Sequence, residues 1–317
     1  MLPKKFKRAL LAGCTSLATV AWVVPAHAAF QSEIFGLQND NIMRVDLSTN
    51  TVQNTGNGGI GFTTNLAMAP DRTLYYMNPF ENSSGSGGHD LYKNTLDGSN
   101  NLVGPPIFVT KLPTAGFGII DGFTIGPDGN LYMTGYGKSE IYRYNIVANT
   151  FDVVVTLTAN LGNEFRSDLA FDPVTNNLVG LGYRPGDRAP ALFEIPNALA
   201  MGTNGSYTWT YFHGNASPWA AAISGLPADG IAFDPTNGSL YLSSDADGIY
   251  QYDPLTAALL GQVPGTTGIG WDLAFQTREV SINDAPEPGS LALVGLAIAG
   301  LAASRRKLTT AKGATPN

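Results

Sequence analysis

"DGFTIGPDGNLYMT" (Asp121–Thr134) and "DGIAFDPTNGSLYLS" (Asp229–Ser243) are one pattern written twice. Each alternates apolar and polar residues, breaks at a Pro/Asp/Gly cluster and alternates again, which reads as a strand, a tight turn and a second strand. "NLAMAPDRTLYYM" from Asn65 and "SDLAFDPVTNNLVGL" from Ser167 are further copies, and "WDLAFQ" from Trp271 is the first half of one. A recurring unit of this kind is the mark of a repeat architecture.

Working outward, a third element follows each copy: "IMRV" from Ile42, "LYKN" from Leu91, "IYRY" from Ile141, "LFEI" from Leu192 and "IYQY" from Ile249, with starts 49, 50, 51 and 57 residues apart. A turn and a fourth strand come after several of them, in "DLSTNTV" at Asp46, "NIVANTF" at Asn145 and "DPLTAAL" at Asp253. Four short antiparallel strands per repeat predict an all-β propeller. The chain start, "SEIFGLQNDNIMRVDLSTNTV", lacks a first strand, and "WDLAFQ" lacks the other three. Together they make one blade, so the sequence predicts five four-stranded blades, with N- and C-terminal strands sharing the one that closes the ring. Closure leaves no open sheet edge. The unit resembles NHL-repeat and senescence-marker/gluconolactonase-like propellers, many of which have six blades.

The two ends carry a different message. Lys4, Lys5, Lys7 and Arg8 precede an apolar run from Ala9 to Val24, and small residues Ala26 and Ala28 follow. This is a signal peptide pattern, expected over residues 1–28 with cleavage before Ala29. "LLAGC" at Leu10–Cys14 also looks like a lipoprotein box, but the apolar run continues well past it. At the other end Pro286, Glu287 and Pro288 precede an apolar stretch of 13 residues from Leu291 to Ala303, then Arg305, Arg306 and Lys307. The stretch is short against the roughly 20 residues of a bilayer span, and the basic cluster favours the cytoplasmic side. With the signal peptide, this segment resembles the PEP-CTERM sorting signal of exported bacterial proteins. The resemblance implies processing by the membrane protease exosortase, a short transmembrane helix within 285–307 and a cytoplasmic tail at 308–317. It also implies a cell-envelope or extracellular destination, in bacteria that make extracellular polysaccharide.

Residues 29–284 are long enough for one substantial domain. The single cysteine, Cys14, falls in the signal peptide, so the body has no disulfide. Between Arg8 and Arg305 lie all 25 acidic residues and ten basic ones, a charge of −15 against −7 for the whole chain. That balance argues against nucleic acid and anionic membrane surfaces as partners and permits cations.

The long connections "NPFENSSGSGGH" (Asn78–His89), "YRPGDRAP" (Tyr183–Pro190) and "HGNASPWAAAISGLPA" (His213–Ala228) all fall on the face where the innermost strands begin. Long loops on a rigid scaffold are where binding usually sits. Asn65, Asp121, Asp168, Asp229 and Asp272 stand at the starts of the five innermost strands and are expected as an axial ring. Such oxygen ligands suit Ca²⁺; the other reading is that each carboxylate holds backbone N–H groups. Trp209, Tyr211, His213 and Trp219, in "YTWTYFHGNASPW", are expected near the loop face, to stack on sugar rings or to pack a strand. His89 and His213 are too few for a zinc site, and the chain has neither a phosphate-binding glycine loop nor a nucleophile elbow.

These readings converge on an exported propeller with a non-enzymatic binding or structural role through its loop face. Its expected partners are exosortase and either extracellular polysaccharide or an envelope protein. The alternative is a metal-dependent lactonase or lyase using the axial ring; gluconolactonase-like propellers hold a metal in that region, though their other ligands find no match here.

Overall fold

Every copy of the repeat becomes a small antiparallel sheet, because its inner strands, such as Leu131–Gly135 and Leu240–Ser244, are buried on both faces and the turn residues allow sharp reversals. The computed structural model describes residues 30–39, 41–56, 65–78, 89–112, 120–135, 140–157, 168–183, 190–200, 205–207, 210–214, 219, 221–224, 226, 228–244 and 246–279. Phe30–Arg278 forms one compact unit. The signal segment with Ala26 and Ala28, and the sorting segment with Pro286, Glu287, Pro288, Arg305, Arg306 and Lys307, lie outside the described residues. Among the described residues no helix is long and apolar enough to cross a membrane.

Numbered in chain order, the first blade is β4 (Asn65–Met68), β5 (Thr73–Asn78), β6 (His89–Thr95) and β7 (Ile107–Leu112). The second is β8 (Ile120–Ile125), β9 (Leu131–Gly135), β10 (Glu140–Asn145) and β11 (Thr150–Leu157). The third is β12 (Leu169–Phe171), β13 (Leu178–Tyr183), β14 (Pro190–Ile195) and β16 (Thr210–Tyr211). The fourth is β17 (Ala228–Phe233), β18 (Leu240–Ser244), β19 (Gly248–Tyr252) and β20 (Leu259–Gln262). The closing blade takes β21 (Gly270–Glu279) from the C-terminal side beside β1 (Phe30–Gln38), β2 (Asn41–Asp46) and β3 (Thr51–Gly56). The five-bladed propeller, and the blade shared by the two chain ends, are as the sequence predicts.

The core is divided into five parts, one between each pair of neighbouring blades. Leu169 packs with Tyr132, Ile141 and Val154 of the second blade, while the next residue, Ala170, packs with Ile231, Leu240 and Leu242 of the fourth. Alternation along one strand thus feeds two junctions. At the closing junction Glu33, fully buried, pairs with Arg44 at 2.5 Å and accepts from Asn100 of the first blade. The turn aspartates are local acceptors: Asp46 Oδ1 takes the Ser48 and Thr49 N–H groups at 2.8 and 3.2 Å, and Asp234 Oδ1 takes Thr236 N–H at 2.8 Å.

Irregularity is not confined to the loop face. On the turn face the connection 96–106 of the first blade is long and makes an extra bridge between Leu96 and Leu102. In the third blade, β15 (Gly205–Tyr207) pairs in parallel with β11 of the second blade before β16 joins β14. The second blade therefore has a fifth edge strand, lent by its neighbour.

Candidate functional site

The five innermost strands present equivalent tetrads towards the axis: Asn65–Met68 (NLAM), Gly122–Ile125 (GFTI), Asp168–Phe171 (DLAF), Gly230–Phe233 (GIAF) and Asp272–Phe275 (DLAF). Register fixes the equivalence. Asn65 faces Met77, Gly122 faces Thr134 and Gly230 faces Ser243, while Asp168 receives the N–H of Leu181 on its backbone carbonyl at 3.2 Å. Asp121 and Asp229 do not occupy the ring position expected of them. Irregularities between Ile120 and Gly122, and between Ala228 and Gly230, insert each as an extra residue one step upstream, where it is half-buried. A bulge of this kind re-aims the side chain. The ring position therefore holds one Asn, two Asp and two Gly.

The two axial aspartates are drawn together. Asp168 is fully buried and Asp272 is 2 % exposed. Asp168 Oδ1 accepts the N–H groups of Leu169 (2.7 Å) and Phe123 (3.3 Å), and Oδ2 those of Ile231 (2.9 Å) and Leu273 (3.2 Å). Asp272 Oδ2 accepts Leu66 N–H at 2.9 Å, while Asp272 Oδ1 accepts no N–H. Asn65 donates its amide to the Asp121 carbonyl at 3.3 Å. Burial, and then the neighbouring Asp168 charge, push the Asp272 carboxyl well above the usual carboxylate range. Burial also raises Asp168, to about 6, against the opposing pull of Asp272 and of its backbone donors.

Four backbone N–H groups converge on the Asp168 carboxylate, two on each oxygen. At Asp168 that arrangement is the backbone-holding one. Among the described residues no group of three or more His, Cys, Asp or Glu side chains gathers as a metal cage.

The expected aromatic platform is dispersed. Trp219 is 3 % exposed and packs between Phe212 (ring centroids 5.7 Å apart) and Tyr252 (5.9 Å), in the junction of the third and fourth blades. It is a core residue, because the turn after β16 folds Phe212 and Trp219 inward together. Tyr211 is half-buried and stacked on Phe193 at 5.5 Å. His213 is exposed, at a left-handed φ of 54°, with its ring 4.0 Å from that of Phe212. Trp209 lies outside the described residues, as do the loops 79–88, 184–189 and 215–218.

One feature escaped the sequence reading: a cavity of about 200 Å³ on the axis, at the turn-face end. Its wall uses the third tetrad position, Ala67, Thr124, Ala170, Ala232 and Ala274, where small side chains leave room. The fourth position supplies Met68, Ile125, Phe171, Phe233 and Phe275, and turn prolines such as Pro70, Pro127 and Pro235 form an exposed rim. The described lining has no titratable side chain. A small residue at the same place in every copy was the available signal.

Residues 284–307 match the PEP-CTERM protein-sorting motif. The motif marks an exported chain, held transiently at the membrane and processed by an exosortase. No curated protein matches the chain. Among solved structures, one in the crystal structure of the nidogen/laminin complex is 13% identical, with 77% of this chain and 98% of that one covered and a TM-score of 0.44. A protein of unknown function from Bacteroides thetaiotaomicron is 13% identical over 77% of this chain and 64% of its own, with a TM-score of 0.49. A gluconolactonase from Xanthomonas campestris is 18% identical over 76% and 78%, with a TM-score of 0.41.

Proposed function

We propose that the exported propeller is a binding component of the cell envelope or extracellular matrix, and that it does no chemistry on what it binds. The observation that carries this reading is the axial funnel, whose described lining is apolar and without an acid or base. General acid–base chemistry needs a titratable group within hydrogen-bond reach of the reacting atom, and the axial carboxyls are instead occupied with backbone N–H groups. An apolar cavity of about 150 Å³ holds a benzene-sized guest. The funnel, at about 200 Å³, suits one ring or a short aliphatic group presented by a matrix component.

The loop face is the second reading, favoured by exposed His213 beside half-buried Tyr211. Co-sedimentation with the extracellular polysaccharide of the producing cells separates the two, using Ala232→Phe to fill the funnel and His213→Ala to alter the loop face. Binding lost only with Ala232→Phe is the expected result, provided that the variant melts as the parent does. Loss only with His213→Ala would move the site to the loop face, and no co-sedimentation at all would remove the polysaccharide as a partner.

A further inference from the structure

We propose that Asp168 and Asp272 share one proton, carried on Asp272 Oδ1 and donated to the Asp168 carboxylate, and that this proton locks all five blades to one point on the axis until rising pH removes it. The lock is visible in the donors. Phe123, Leu169, Ile231 and Leu273 give their N–H groups to Asp168, and Leu66 gives its own to Asp272. Each of the five is the second residue of its axial tetrad, so every blade contributes one donor.

The proton belongs on Asp272. Asp168 meets four N–H donors, an environment that favours its ionised form, whereas Asp272 meets one and its buried Oδ1 meets none. Two adjacent buried carboxylates cannot both ionise without a cation to offset them. Among the described residues the charged groups around the pair supply no such cation. The innermost strands bring Asp121 and Asp229, both acidic, and at their turn-face ends the turn carboxylates of Asp172 and Asp234; in sequence β21 also carries Arg278 and Glu279, six and seven residues after Asp272. Strands β5, β9, β13 and β18 contain no ionisable side chain besides tyrosines, and on β1 Glu33 is tied to Arg44. Burial pushes the carboxyl of Asp272 up in the folded state.

The sign of the pH effect follows. A folded carboxyl that keeps its proton to higher pH than the unfolded chain contributes fully in acid. Its contribution is lost as pH rises from the ordinary carboxylate value, near 3.8, through the raised folded one. One linked proton changes the folding constant about tenfold per pH unit in that window.

The test is thermal unfolding of the full chain from acid to alkaline pH, together with infrared detection of a protonated carboxyl at neutral pH. Asp272→Asn supplies an N–H where the O–H stood. It is expected to keep the fold, to flatten the pH slope relative to the parent and to remove the protonated-carboxyl band; Asp121→Asn is expected to keep both. A parent without the band at neutral pH, or an Asp272→Asn protein with the parent's slope, would overturn the proposal. If Asp272→Asn does not fold, the band in the parent and in Asp121→Asn decides alone.

Discussion

The same five strands end in two different ways. At the loop-face end they converge on polar groups that are buried and turned on one another: Asp168, Asp272, Asn65 and five backbone N–H groups. At the turn-face end they splay into an apolar funnel that reaches solvent past a rim of prolines. The acidic residues that look chemical in the sequence hold the ring together, while the end that looks like mere turns contains the described cavity. In a closed ring a polar group on the axis has few routes to water. It therefore has to satisfy the backbone or be satisfied by it.

Removing the acceptor tests the contrast most severely. Asp168→Ala leaves four buried N–H groups without partners at roughly 1–3 kcal/mol each, a sum comparable with the 5–15 kcal/mol of a whole domain. Calorimetry of this variant should show no cooperative transition, and a normal melt would mean that the axial bonds do not hold the blades. At the other end, Phe275→Ala removes a half-buried ring 5.7 Å from that of Tyr241. A loss of about 1–2 kcal/mol is expected, below the 3–5 typical of a fully buried Phe, read as a fall of a few degrees in Tm. A collapse as deep as that of Asp168→Ala would erase the distinction between the ends.

The bulge residues should matter less again. Asp229→Asn is expected to stay within about 1 kcal/mol of the parent by denaturant titration, because the change is nearly isosteric and the side chain is half-buried rather than buried. The smallest effect is expected from chelation. EDTA followed by millimolar Ca²⁺ should leave Tm unmoved, whereas a cation at 100 times its Kd would add about 2.7 kcal/mol. A calcium shift that Asp229→Asn abolished would restore the ring as a cation site.

Much of this was written in the chain at the level of pattern. The alternation around "DP" and "PDG" turns gave the blade, and the unmatched half-copy at Trp271 gave the closure, because a strand without partners has to find them elsewhere. The error at Asp121 and Asp229 was also avoidable. From Asp168 to the turn proline, Pro173, the step is five residues, as it is from Asn65 to Pro70; from Asp121 to Pro127 and from Asp229 to Pro235 it is six. The extra residue has to bulge, and that moves the side chain off the axis. Trp219 was not legible in the same way, since its burial depends on how the turn after β16 folds against the fourth blade.

The sequence by itself determined the all-β class, the blade count, the shared closing blade and the sorting motif at 284–307, because each rests on local periodicity or on a contiguous motif. Only the tertiary structure decided that Asp168 and Asp272 meet, that five N–H groups from five blades converge on them, and that small side chains open a funnel at the far end. Apart from the Leu169 bond, those contacts join residues 45 to 206 positions apart, and their geometry is set by how the ring closes, which no single stretch of chain contains.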